Sequence, residues 1–287
     1  MPETTETNVS RTEIDVHGRS ASYLTAGSGG PALLLLHGTY WSRVWQPVIP
    51  ALADAGLRPI AVDLPGLGRS EGELALETAT VPALADWVTR FVSALGLTGP
   101  IVVVGHDIGG AIAQHLVVHG GVEASALVLA NSVTYDSWPV PGVARFRDPD
   151  VVAATTAEEV LAARRQSVTT ALAGAATDDL VAEYVDPWTQ AHVRRSWMAM
   201  AGAADSRFTL DLVPGLRRSA LPKLLIWGED DGFQEVHHAE RFAAEMPRTE
   251  LVRIPAAGHI PMENAPELVA DALIDFVARE VPRSSPA

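Results

Sequence analysis

The sequence Gly105-His106-Asp107-Ile108-Gly109 places a carboxylate between two glycines, each two residues away. A β-branched run, Ile101 to Val104, leads into it, and an apolar stretch starts directly after it at Ile108. A strand that passes into a helix through so short a bend brings the two elements into close contact. Glycine leaves room for that approach and tolerates the backbone it needs. The bend lifts one side chain clear of the strand end and sets it beside a helix N-terminus, where backbone N–H groups and the helix dipole stabilise negative charge. An aspartate, with an ordinary pKa of about 3.9, is anionic at neutral pH without help from a base. Such a group can displace a leaving group directly from an sp³ carbon and form an alkyl ester. Attack on an ester or amide would give an acid anhydride, a higher-energy intermediate, so acyl transfer fits this nucleophile poorly.

The elements needed to position Asp107 are legible around it. Short apolar runs at 32–36, 59–62, 101–104, 126–130, 223–227 and 250–254 read as buried strands. Helical patterns at 44–55, 81–95, 108–118, 236–246 and 266–280 separate most of them. This alternation predicts an α/β fold, a mostly parallel central sheet flanked by helices on both faces. A hairpin at 13–16 and 20–25 opens it. From 133 to 219 no buried strand is evident. Prolines 139, 141 and 149 introduce alanine-rich helical stretches such as 157–172 and 190–201. The segment is too long for a loop and reads as a helical cap inserted between two strands. The expected organisation is a core of 13–132 and 220–281, a cap of 133–219, and tails at 1–12, disordered, and 282–287.

The bend at Asp107 resembles the Gly-x-Ser-x-Gly nucleophile elbow with aspartate in place of serine. The chain is similar to the α/β-hydrolase superfamily, and within it to the aspartate-nucleophile group of epoxide hydrolases and haloalkane dehalogenases. The resemblance covers nearly everything outside 133–219. It implies a triad in the chain order nucleophile, acid, histidine. His259, in Ala257-Gly258-His259-Ile260-Pro261, stands where the family carries the base that drives water onto the ester. In the family's pattern the acid falls three places after Gly228, at Asp231, with Asp230 and Glu229 as alternatives. The oxyanion hole would be built from two backbone N–H groups, that of Ile108 after the nucleophile and that of Thr39 in His37-Gly38-Thr39. The stretch Asp63 to Ser70 also resembles a family signature and reads as scaffold.

The leaving-group side departs from the family. Haloalkane dehalogenases carry tryptophan directly after the nucleophile and often asparagine after the His-Gly pair, whereas this chain has Ile108 and Thr39. Fluoroacetate dehalogenases carry arginine after the nucleophile, and Ile108 differs again. Epoxide hydrolases protonate the opening oxygen with two cap tyrosines. Tyr135 and Tyr184 lie in the inserted segment, and Tyr40 replaces the proline of the family's His-Gly-x-Pro signature, so these three are the candidate acid donors. His37, Trp41, His106 and Trp138 are candidate pocket residues.

Bulk properties narrow the classes. The net charge of −14 excludes the basic surface that nucleic acid requires and disfavours anionic membranes and polyanionic substrates. Without cysteine there is neither a disulfide framework nor a thiolate nucleophile or metal site. The polar start lacks the pattern of a secretory signal, and the expected location is the cytoplasm. The resulting expectation is a hydrolase on a small, apolar molecule, an epoxide first, needing no metal or organic cofactor. The rivals are a dehalogenase, a lactone, ester or carbon–carbon bond hydrolase with Asp107 as base, and a non-hydrolytic ligand-binding or cyclase-like protein. Oligomeric state is not encoded in these patterns.

Overall fold

Leucine and β-branched runs with no exposed face can only be satisfied in a sheet covered on both sides. The computed structural model, which describes residues 8–281, contains such a sheet. Its strands are β1 (Ser10–Asp15), β2 (Ser20–Thr25), β3 (Ala32–Leu36), β4 (Arg58–Val62), β5 (Ile101–Asp107), β6 (Ala124–Ser132), β7 (Lys223–Gly228) and β8 (Thr249–Ile254). They lie in the order β1-β2-β4-β3-β5-β6-β7-β8. The β1–β2 hairpin joins β4 antiparallel, and β3 to β8 run parallel. Residues 33–36, 102–104 and 127–129 are wholly buried. Because β5 is central and its neighbours run the same way, loops after β3, β5, β7 and β8 all emerge at one edge. An α/β sheet of this kind binds its ligands at that edge.

The helices outside the inserted segment are α1 (Ile49–Asp54), α2 (Val81–Ala94) and α3 (Ile108–His119), and past it α10 (Val236–Glu245), α11 (Pro261–Asn264) and α12 (Pro266–Glu280). Between β6 and β7 the chain forms α4 (Pro149–Ala154), α5 (Ala157–Leu172), α6 (Asp178–Val185), α7 (Ala191–Ala203), α8 (Arg207–Leu210) and α9 (Val213–Arg218). A capping box starts α5, with Thr156 and Glu159 each closing on the other's backbone N–H. Among the described residues no helix is long and apolar enough to cross a membrane.

Two expectations change. The helix expected over 44–55 divides into a short 3₁₀ turn, Ser42–Trp45, and α1, because Pro47 and Pro50 lack the N–H groups a continuous helix would use. The expected disordered tail 1–12 is also too long, since β1 starts at Ser10, paired with Thr25. Ser10 and Arg11 are exposed, so no apolar residue marks where β1 begins, and the expected strand at 13–16 caught only its second half. Residues 1–7 and the expected tail at 282–287 lie outside the described residues.

Candidate active site

Asp107 ends β5 and caps α3 with φ 54° and ψ −128°, a conformation that L-residues rarely adopt. The packing around it enforces the bend. A Cβ on Gly105 would strike the backbone of Gly109 and Gly110, and one on Gly109 would strike the carbonyls of Leu36 and His37. Gly38 completes the approach, since a Cβ there would come within 2.5 Å of both Asp107 Oδ2 and the Ile108 nitrogen. The Thr39 backbone N–H donates to Asp107 Oδ2 at 2.9 Å, and the Thr39 hydroxyl donates to the same oxygen at 2.8 Å.

His259 follows β8 and Asp231 follows β7, and the parallel order brings them together. His259 Nδ1 donates to Asp231 Oδ2 at 2.8 Å. Asp231 is buried, whereas the alternatives Glu229 and Asp230 are exposed, and Glu229 pairs with Arg253. Asp231 also accepts from the Phe233 and Gln234 backbone N–H groups at 2.7 and 3.0 Å and from Asn131 Nδ2 at 2.7 Å. Burial alone would raise its pKa, but His259 and these donors hold it below the usual carboxylate range. For His259, burial opposes charging the ring, yet the charge and hydrogen bond of Asp231, with Asp107 nearby, raise its pKa above 6.5.

Asp107 and His259 line one cavity of about 120 Å³. That is a little less than the ~150 Å³ of a cavity known to hold benzene, so it suits a small molecule. Its walls are mainly apolar: Ile108, Val133, Trp138, Val140, Val143, Trp197 and Phe233. One wall is charged. Arg164, on α5, is 3% exposed. Its Nη2 donates to the Thr39 carbonyl at 3.0 Å, its Nε has no partner, and no carboxylate among the described residues forms an ion pair with it. The rings of Trp188, Tyr40 and Trp197 surround the guanidinium at 4.7, 5.1 and 5.3 Å. No group of three or more His, Cys, Asp or Glu side chains among the described residues is arranged to hold a metal ion.

A family model for the alpha/beta hydrolase family matches residues 33–272. The chain belongs to the alpha/beta hydrolase family. This α/β-hydrolase is 28% identical to a soluble epoxide hydrolase of Corynebacterium sp. (strain C12), over 95% of this chain and 98% of that one. It is 29% identical to haloalkane dehalogenase 2 of Mycobacterium bovis, over 88% of this chain and 90% of that one. Among solved structures, an epoxide hydrolase without ligand superposes with a TM-score of 0.79 at 26% identity, covering 94% of this chain and 99% of that chain.

Several residues singled out in the α/β-hydrolase sequence are engaged away from the cavity. The Tyr135 hydroxyl donates to Glu245 at 3.2 Å and its ring lies 3.8 Å from the Arg241 guanidinium. The Tyr184 hydroxyl donates to Glu263 at 2.7 Å. Burial and those carboxylates push both phenol pKa values up, and neither residue lines the cavity. Tyr40 does line it. Of the candidate pocket residues only Trp138 reaches the cavity wall. His37 accepts from the Leu64 N–H at 2.9 Å and donates to the Gly38 carbonyl at 2.9 Å, which fixes the loop that carries Thr39. His106 donates to the His259 carbonyl at 2.8 Å, and burial, reinforced by His259, lowers its pKa to about 4. Trp41 donates to the Tyr184 carbonyl at 3.2 Å.

Two residues at the site were not legible as such. Asn131 bridges Asp231 and the Gly228 N–H, the latter at 2.9 Å, but a lone asparagine at a strand end carries no signal. Arg164 had one: it occupies the buried stripe Val160, Arg164, Val168 at i, i+4, i+8, while Arg165 beside it is exposed.

Proposed function

We propose that this α/β-hydrolase is an epoxide hydrolase that works through an alkyl ester on Asp107. The observation that carries the reading is the Asp107 carboxylate at the wall of a small apolar cavity, with one oxygen already held by two Thr39 donors and the His259–Asp231 pair beside it. The segment 133–219 acts as the cap over a core of 13–132 and 220–281. In the first step the free Asp107 oxygen attacks an epoxide carbon, and the breaking C–O bond leaves its electron pair on the opening oxygen. That oxygen takes a proton from solvent. In the second step His259 removes a proton from water, whose oxygen attacks the Asp107 carboxyl carbon. Negative charge builds on Oδ2, where the Thr39 donors and the Ile108 N–H stabilise it. Collapse releases the second alcohol oxygen, which takes the proton from His259. Asp107 ionises again and returns one proton to solvent, so the sum is epoxide plus water giving a vicinal diol. The absence of tryptophan after the nucleophile and of asparagine at position 39 favours an epoxide over a haloalkane.

Replacing the base should stop the cycle at the ester. His259→Gln incubated with 1,2-epoxybutane is expected to gain the mass of one substrate on the peptide carrying Asp107. An unmodified protein, with turnover persisting in the wild type, would reject the covalent route in favour of Asp107 acting as a base.

A further inference from the structure

A buried guanidinium without a carboxylate partner is costly, because charge is taken out of water and only part of the loss is offset by aromatic faces, the Tyr40 hydroxyl and one carbonyl. Burial pushes the Arg164 pKa down, opposed first by the Tyr40 phenol beside it, which also hydrogen-bonds to it, and then by the negative charge of Asp107. Arg164 sits in the same cavity wall as Asp107, and both tyrosines of the inserted segment have their hydroxyls committed elsewhere. An alkylation of Asp107 removes a carboxylate charge that acts on this arginine. At the same instant an equal negative charge appears on the departing atom.

We infer that Arg164 is a catalytic residue whose guanidinium N–H groups receive the opening epoxide oxygen and stabilise its charge in place of paired tyrosines. This rests on the alkyl-ester reading above. The electron pair of the C–O bond goes to the oxygen, that anion takes over from Asp107 as the negative charge near Arg164, and the proton from solvent completes the alcohol. Arg164 itself stays protonated throughout. The electrostatic balance of the pocket is thereby kept from reactants to ester, which favours neutral substrates whose leaving atom departs as an anion. Substrates that already carry a carboxylate would place a second anion beside Asp107 and are disfavoured.

The test isolates the alkylation step. In a His259→Gln background, the single-turnover rate of adduct formation on Asp107 is followed by mass spectrometry with 1,2-epoxybutane and with 3,3,3-trifluoro-1,2-epoxypropane, whose alkoxide is the weaker base. Arg164→Met should slow the reaction of 1,2-epoxybutane by about 10²–10³-fold, the range for removing one oxyanion donor. The loss should be several-fold smaller with the trifluoro substrate, and Arg164→Lys should fall between. Dilute guanidinium chloride should partly restore Arg164→Met. Equal losses with both substrates, or no loss, would overturn the assignment. Should Arg164→Met fail to fold, the substrate dependence of Arg164→Lys decides in the same way, an unchanged ratio overturning it. A missing adduct with Arg164 intact sinks the ester reading instead, so the two failures are distinct.

Discussion

Arg43 and Arg164 are both buried, both meet residues of the inserted segment, and are satisfied in opposite ways. Arg43, in the loop after β3, donates to Glu263 at 2.6 Å and Glu183 at 2.7 Å, and lies 5.3 Å from the Tyr184 ring. Its charge is neutralised in place, and Glu263 also takes the Tyr184 hydroxyl. Arg164 has three rings, the Tyr40 hydroxyl and a carbonyl but no carboxylate ion pair, and it borders the cavity. The first arrangement clamps the inserted segment to the strand-edge loops. The second leaves an electrostatic demand open to whatever enters. A closed polar network serves stability, and an open one at a cavity wall serves a ligand.

The comparison is broken most directly by stability. Glu263→Leu leaves the Tyr184 hydroxyl without its acceptor and Arg43 with only the half-exposed Glu183, and should cost about 3 kcal/mol in urea unfolding. Arg164→Met orphans no carboxylate and should change stability by no more than about 1 kcal/mol in either direction. If the second variant proves as damaging as the first, Arg164 is a structural clamp as well. Next in size is the pH response. On the proposed route His259 must be neutral to activate water, so kcat should fall as pH drops through a value above 6.5. Asp231→Asn removes the anion that raises the ring, moving this fall to lower pH while reducing the plateau rate. A kcat–pH profile with an unmoved midpoint would separate Asp231 from the titrating group. The smallest effect is expected at the tyrosines. Tyr135→Phe should leave kcat within about 2-fold and cost about 1 kcal/mol, the worth of one hydrogen bond. A large loss of kcat at unchanged stability would return Tyr135 to the list of acid donors.

The central strands β3 to β7 were legible because each carries a short apolar run that a strand buried on both faces requires, whereas β1 and β8 have exposed charged residues and were less distinct. Asp107 stood out because Gly105 must clear Gly109 and Gly110, near neighbours in the chain, although the clash that Gly109 avoids is with the distant Leu36 and His37 carbonyls. The carboxylate that meets His259 was harder to read, with Glu229 and Asp230 adjacent; only the tertiary structure shows that Asp231 is the buried one and lies 2.8 Å from the ring. In the inserted segment the reading failed on Tyr135 and Tyr184, whose residue type was informative but whose hydroxyl partners, Glu245 and Glu263, lie 110 and 79 residues away along the chain.

The amino-acid sequence by itself determined the sheet, the sharp bend at Asp107 and the loops that follow the strands, since these arise from short-range periodicity and backbone sterics. Tertiary structure alone decided which polar groups face the cavity. That depends on how the inserted helices turn over the strand edge, and a rotation by one residue about α5 would exchange buried Arg164 for exposed Arg165.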